Sequence, residues 1–289
     1  MINVATQQKI TALKREFEAL KRGKEALLKL IDEAELPEAV YNSNAIENST
    51  LTLKETERIL LEQEVMRQIS VRELFEAKNL GRVTEYLGSK TDMMLNEETM
   101  LLLHQMLIGG INDAIAGRFR NGHEYVRVGT HIAPAPEHVK QLLGNLTAEY
   151  NSTHEQYFLK RISYFHLEFE RIHPFVDGNG RIGRVLINLQ LAKLGFPPII
   201  IRNKGKHDYY YPAFRAFQEN GKTDTLDRQL SLALVESLHK RLTYLKGQEV
   251  VKLSDYAKMK DKLTNSFINA ARRQTIPAFR EKGVWKIGA

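Results

Sequence analysis

The twelve residues from His173 to Arg184 read H-P-F-V-D-G-N-G-R-I-G-R, and no other stretch of the 289-residue chain gathers as much chemistry. They supply one base, one carboxylate, two glycines flanking an amide, and two arginines. Pro174 and Gly178 close the apolar helical pattern of Phe165, Phe169 and Ile172, so this polar set sits at a helix end. Gly178 and Gly180 let the N–H groups around Asn179 converge into an anion-binding nest at the start of the next helix. Arg181 and Arg184, three residues apart, share one face of that helix and suit two phosphate groups. Asp177 is placed to hold Mg²⁺ whose shell the phosphates complete, and His173 to take a proton from an attacking hydroxyl. The inventory is that of an enzyme that uses a nucleotide.

The same segment is similar, at every specified position, to the signature of the Fic family, H-P-F-x-D/E-G-N-G-R-x-x-R. The resemblance implies an enzyme that binds ATP·Mg²⁺ and transfers AMP to a Ser, Thr or Tyr hydroxyl of a target protein, or of itself, releasing pyrophosphate. It makes His173 the general base, Asp177 the metal ligand, and Gly178, Asn179 and Gly180 the nest around the phosphates. Arg181 and Arg184 would neutralise the polyphosphate, and Phe175 would anchor the loop. Tyr209-Tyr210-Tyr211-Pro212 resembles the family region in which a tyrosine borders the adenine. Three adjacent tyrosines cannot all face one pocket; Tyr210 is taken as the candidate nucleotide contact, and which of Tyr209, Tyr210 and Tyr211 borders the adenine stays open.

Far upstream, Ser43-Asn44-Ala45-Ile46-Glu47-Asn48 resembles the inhibitory motif of Fic proteins, S/T-x-x-x-E-G/N. Ser43 and Glu47 lie four apart on one helix face. The resemblance places Glu47 against Arg184, where it would exclude the γ-phosphate, and puts the chain in the class whose inhibitory helix precedes the core.

Between these motifs, Asn121-Gly122 is a turn signal, Tyr125, Val126, Arg127 and Val128 form a short strand pattern, and Gly129 breaks it before Pro134 and Pro136. One small hairpin is expected. In the Fic family such a hairpin is the flap that docks the target segment by strand addition; otherwise it only links helices.

The remaining sequence must position these residues. With 43% hydrophobic and 27% charged residues the chain has ordinary globular chemistry, and zero cysteines exclude disulfides, thiolate metal sites and cysteine nucleophiles. No stretch has the apolar length of a membrane span, and the charged, amphipathic start lacks a signal-peptide core, so a cytoplasmic location is expected. Helical patterns run from Gln7 to Ile31, from Leu36-Pro37 through Ser43, from Arg72 to Leu87 and from Thr99 to Ile111. Thr52-x-x-Glu55 reads as a capping box. Val185, Leu186, Leu189, Leu191 and Leu194 mark a core helix ended by Gly195 and Pro197.

The expected fold is mainly α: a Fic-type helical bundle with a β-hairpin flap and a C-terminal module resembling a winged helix-turn-helix. The expected domains are an N-terminal helical region over residues 1–90, a catalytic core over 91–240 and a basic module over 245–289. From Val251 to Ala289 there are nine Lys or Arg against three Asp or Glu, a net of +6 within a chain total of +7. Such a tail suits DNA, and equally a basic cap that faces solvent or makes homodimer contacts. Two function classes follow. One is an ATP- and Mg²⁺-dependent protein adenylyltransferase inhibited by Glu47. The other is a nucleotide-sensing regulator that binds DNA. Related sites that remove AMP or transfer other phosphate-linked groups form a third reading.

Overall fold

In the computed structural model, which describes residues 2–65, 67–90, 93–153 and 155–289, helices dominate. In chain order they are α1 (Val4–Leu20), α2 (Glu25–Ile46), α3 (Leu53–Glu57), α4 (Val71–Ser89), α5 (Glu97–Ile108), α6 (Val139–Ser152), α7 (Phe158–Ile172), α8 (Asn179–Lys193), α9 (Tyr211–Asn220), α10 (Asp224–Leu245), α11 (Leu253–Met259) and α12 (Thr264–Arg272). The strands are β1 (Arg127–Val128), β2 (His131–Ile132), β3 (Val250–Lys252), β4 (Ala278–Glu281) and β5 (Val284–Gly288). Among the described residues no helix is long and apolar enough to cross a membrane.

Two compact units emerge, and they do not follow the linear order read from the sequence. One comprises Leu36–Gly195 and Ile200–Asp227; the other comprises Met1–Glu35, Phe196–Ile199 and Arg228–Ala289. In the first, α4 to α8 close around Leu80, Val83, Leu103, Leu107, Phe165, Phe169, Leu186 and Leu189, all at most 2% exposed. Burying so many large side chains at ~2 kcal/mol each fixes where α7 ends and α8 begins, the point at which the signature lies. In the second unit, Leu253, Ala271, Ala278 and Ile287 form a small core under the antiparallel sheet β3-β5-β4. The buried Arg241 there donates to Asp32 and Glu35, and Lys240 pairs with Glu35 and Glu281.

Several local expectations change. The helical pattern from Gln7 to Ile31 is two helices, because the chain turns after Leu20 and Gly23 adopts a left-handed φ of 73°. Pro37 does not start the segment bearing Ser43; it lies inside α2, whose later residues bury Val40, Asn42, Asn44 and Ile46. Tertiary burial outweighs the backbone hydrogen bond that a proline removes. The Thr52–Glu55 capping box is present, with Thr52 Oγ1 accepting from Glu55 N and Glu55 Oε2 accepting from Thr52 N.

The hairpin is shorter than the sequence pattern and turns elsewhere. β1 pairs with β2 as Arg127↔Ile132 and Val128↔His131 around Gly129. Tyr125 and Val126 precede the strand, although Ala133 N still donates to Val126 O at 3.0 Å. Asn121-Gly122 makes a separate turn, closed by Glu124 N donating to Asn121 O. Gly129 supplies the left-handed φ of 59° that reverses the hairpin, which is why the turn falls there.

Candidate active site

The site is built on the break between α7 and α8. His173 caps α7 in the left-handed region, at φ 50° and ψ 63°, a conformation that costs a non-glycine residue about 1 kcal/mol unless its surroundings impose it. Arg120 imposes it. This arginine is 1% exposed, and its guanidinium donates to the carbonyls of His173 (2.7 Å), Ile172 (3.0 Å) and Pro134, while its own N–H donates to Pro174 O at 2.9 Å. The end of α7, the turn at His173 and the chain after the hairpin are thereby tied to one cation.

The His173 ring is largely buried, and burial pushes its pKa down to about 4 against a pull upward from the Glu170 carbonyl, so the imidazole is neutral at ordinary pH. Nδ1 faces that carbonyl at 3.3 Å. With Nδ1 as the protonated nitrogen, Nε2 carries the lone pair that can take a proton.

The loop from Phe175 to Asn179 is rigid for identifiable reasons. Asn179 Oδ1 accepts from Phe175 N and Asn179 Nδ2 donates to Phe175 O, both at 2.8 Å. The Asn179 side chain is therefore spent on loop geometry, and only its backbone is available to a nest. Phe175 is fully buried and stacks on His104, with ring centroids 3.8 Å apart and planes 6° from parallel. His104 accepts from Gly117 N at Nδ1 and donates from Nε2 to the Asp177 carbonyl at 3.0 Å. Burial lowers its pKa to about 4, so it is a neutral strut. Gly178, at φ 83°, is the N-cap of α8, and a side chain there would meet Ile108 and Leu107 at 3.1 and 3.2 Å. The first-turn amides of α8 point toward the cleft lined by Glu47, Arg72, His173, Asp177 and Gly180.

Every charged residue of the signature has a partner of opposite sign. Arg184 is 6% exposed; Nη2 donates to Glu47 Oε1 (2.8 Å) and Ser43 O (2.9 Å), Nε to Ser43 Oγ (2.9 Å), and Nη1 to Tyr210 Oη (3.3 Å). Burial opposes its charge, yet Tyr210 and Glu47 hold its pKa above the ordinary arginine value. Ser43, Glu47 and Arg184 thus meet across 141 and 137 positions of sequence. A Cβ at Gly180 would overlap Glu47 Oε1, so glycine is what admits the carboxylate. Lys206 Nζ donates to the carbonyls of Ala45 and Ile46, and Tyr211 Oη to Ile46 O, fastening the end of α2.

Arg181 and Arg184 lie on α8 as expected but serve different carboxylates. Arg181, 3% exposed, pairs with Asp177 and with Glu76 of α4, each at 3.1 Å. Asp177 also accepts from Arg72 at 2.5 Å and from Gly178 N at 2.6 Å. Burial raises the Asp177 pKa, but Arg181 and Arg72 outweigh it and hold the carboxyl below its usual range. Of the three tyrosines, Tyr209 is 60% exposed, and Tyr210 is 2% exposed with its hydroxyl between Arg184 and His166 Nε2 (2.8 Å). Tyr210 lies beneath the arginine instead of along the cleft. At the hairpin, Tyr125, Val128 and Ile132 are exposed, and His131 bonds the Arg171 carbonyl at 2.8 Å.

Sequence reading missed Arg120, His104, Glu170, Arg72 and Glu76. Arg120 and His104 act on backbone groups far away in sequence; Arg72 with Glu76 (i,i+4) and Glu170 with His173 (i,i+3) had helical spacing as a signal that went unread.

A mainly helical core thus brings a helix N-terminus, the buried Arg181 and a neutral His173 to one cleft, with Arg184 paired to the Glu47 that lines it. Residues 94–191 match the Fic/DOC family, and this segment of the chain is a Fic domain. It is 32% identical over 177 residues to the protein adenylyltransferase Fic of Nematostella vectensis, covering 59% of this chain and 41% of that protein. The same-named protein of Aedes aegypti is 29% identical over 211 residues, covering 68% and 42%. The match thus spans less than half the length of these relatives. The fold is also similar to that of a Fic domain-containing signaling protein from Bacteroides thetaiotaomicron, with a TM-score of 0.74 and 24% identity, covering 83% of this chain and 98% of that one.

Proposed function

We propose that the chain is a protein adenylyltransferase that moves AMP from ATP to a Ser, Thr or Tyr hydroxyl of a protein, and that Glu47 holds it inactive. The observation that carries this reading is the buried Arg184, bound to Glu47 and Ser43 at the mouth of a helix N-terminus beside a neutral His173. The adenylyltransferase relatives support the reaction class.

The α8 amides and Arg181 receive the phosphates, with Arg184 joining them once Glu47 withdraws. The hydroxyl attacks the α-phosphorus in line with the leaving pyrophosphate as its proton passes to His173 Nε2. The exposed edge of β1, from Arg127 to Val128 with Tyr125 and Val126 before it, offers main-chain partners to an extended target segment.

The residues present suit a hard cation. Among the described residues no cluster of three or more His, Cys, Asp or Glu could hold a metal, and Asp177 supplies one ionised carboxylate beside the phosphate nest. That donor set suits Mg²⁺, which takes one or two carboxylates together with phosphate oxygens. When bound, the ion neutralises charge on the polyphosphate. Asp177 would exchange Arg72 and Arg181 for it.

A DNA-binding role is favoured by one further observation. Asn265, Ser266, Asn269, Arg272 and Arg273 are exposed on α12, within a helix-strand-helix-helix-strand-strand succession from α10 to β5. Amide and guanidinium groups on one exposed helix are the chemistry that reads base edges and phosphates. We assign this role to the module and not to the cleft.

The transferase reading is tested by incubating the Glu47→Gly variant with ATP labelled at the α- or the γ-phosphate, together with Mg²⁺ and lysate. Protein labelled from α-ATP alone supports AMP transfer. Label from γ-ATP, or no label from either, contradicts it.

A further inference from the structure

Glu170, on the last turn of α7, is the most unusual acid in the chain. Its carboxylate lies inside the protein with Oε1 lacking any hydrogen-bond partner, and Oε2 sits 3.9 Å from His173 Nδ1. Its own carbonyl faces that same Nδ1 at 3.3 Å. A buried carboxylate oxygen without a donor is costly, and such sites usually serve a proton or a charge that arrives during function. The packing keeps the acid there. Gly183 of α8 lies against it, and a Cβ at that position would fall 2.7 Å from Glu170 Oε1 and 2.8 Å from His166 Cε1.

Five groups face this carboxylate. From α7 itself come His166 and His173; from α8 comes Arg184; Tyr210 approaches beside Arg184; and Glu47 follows the end of α2. On His173, Arg120 and His131 lower the pKa and Glu47 raises it. The only anion among them is Glu47, which is the one group the proposed activation removes.

Resting on the transferase reading above, we propose that Glu170 is a positioning residue for His173: its carbonyl fixes the ring, and its carboxylate stabilises the imidazolium formed when the target proton arrives. Glu47 then inhibits twice. It occupies Arg184, and its negative charge adds to the burial that disfavours an ionised Glu170. Burial first and Glu47 second push the Glu170 pKa up to about 8, with Arg184 pulling the other way. Withdrawal of Glu47 removes the repulsion and leaves Arg184 beside Glu170. Arg184 then favours ionisation against burial alone, and an anion 3.9 Å from Nδ1 would make His173 a stronger base. The proton balance is simple: the hydroxyl proton passes to Nε2 as the O–P bond forms, Nδ1–H stays on the ring facing Glu170, and the Nε2 proton leaves to solvent after pyrophosphate departs.

The test compares the full chain, Glu47→Gly, and Glu47→Gly with Glu170→Gln. The His173 ring is titrated by NMR without nucleotide, and AMP transfer is followed against pH. Glu47 itself raises the His173 pKa, so the decisive comparison is between the two variants, which both lack it: the midpoint should lie higher in Glu47→Gly than in Glu47→Gly with Glu170→Gln. The same addition should lower kcat about tenfold, the equivalent of one pKa unit, with KM for ATP nearly unchanged. Equal His173 midpoints in the single and double variants, with both folded by their NMR spectra, would overturn the proposal. If Glu47→Gly transfers no AMP, the transferase reading fails, and the titration still decides the role of Glu170.

Discussion

Arg120 offers the sharpest test of how the catalytic turn is held. Its guanidinium is the donor to the carbonyls of His173, Ile172 and Pro134, the Ile172 bond buried and the other two part-buried. Replacing it by Met keeps length and apolar packing but orphans these three acceptors. At about 1–3 kcal/mol for each buried unsatisfied group the gross loss is roughly 3–9 kcal/mol. Removing a buried cation offsets part of this, since burial lowers the Arg120 pKa and so disfavours its charge. A net destabilisation of about 2–4 kcal/mol is expected. With a urea m-value of about 2–3 kcal/mol/M, the unfolding midpoint should fall by about 1 M. His173 would also lose the restraint on its left-handed backbone. In the Glu47→Gly background, transfer should therefore drop by about 10²-fold, the scale of an ångström-sized misplacement. A midpoint unchanged by Arg120→Met, together with full activity, would refute the claim that this cation holds the turn.

Three further outcomes follow from the same geometry. Asp177→Ala should weaken binding of Mn²⁺ in the presence of ATP, measured directly by electron paramagnetic resonance, because the nest supplies no other anionic ligand; unchanged binding would assign the carboxylate to helix capping alone. Stability should be greatest near neutral pH. His104, His166 and His173 have pKa values lowered by burial to about 4, 3 and 4, so the stability they contribute above 6.5 is lost as pH falls toward 4. Glu170, raised to about 8, contributes stability that is present below 4.5 and lost as pH rises through 8. Urea midpoints across pH 4–9 check both limbs, and Glu170→Gln should flatten the alkaline one. If the basic module binds DNA, affinity should fall steeply with salt and drop when Arg272 and Arg273 are both neutralised; absence of binding by the full chain at low salt would retire that role.

What the sequence displayed was whatever is local. The signature announced itself because helix end, nest and arginines are contiguous, and Thr52 with Glu55 formed a capping box because both halves lie within one turn. The hairpin was found but its turn misplaced, since Asn121-Gly122 and Gly129 are equal turn signals and pairing with His131–Ile132 decided between them. Pro37 read as a helix start because propensity carries no knowledge of the core that buries Val40 and Ile46. Arg120, His104 and Glu170 were invisible for another reason. Arg120 and His104 work on backbone carbonyls that the fold delivers from elsewhere, and Glu170, though only three residues before His173, owes its character to burial that no spacing displays.

The central claim is that Glu47, by binding Arg184, keeps an otherwise complete transferase inactive. It is tested most directly by measuring AMP transfer, including self-labelling, for the full chain, for Glu47→Gly, and for Glu47→Gly with Arg184→Ala. Glu47 lies against Gly180 and pairs with Arg184, and its removal takes the one carboxylate from that guanidinium while leaving its bonds to Ser43 and Tyr210 and the loop that Asn179 and His104 hold. The account predicts little transfer by the full chain, a rise of about 10²-fold or more in Glu47→Gly, and silence in the double variant, because the arginine freed is the one that binds the γ-phosphate. Equal transfer by the full chain and Glu47→Gly, or undiminished transfer by the double variant, would contradict it.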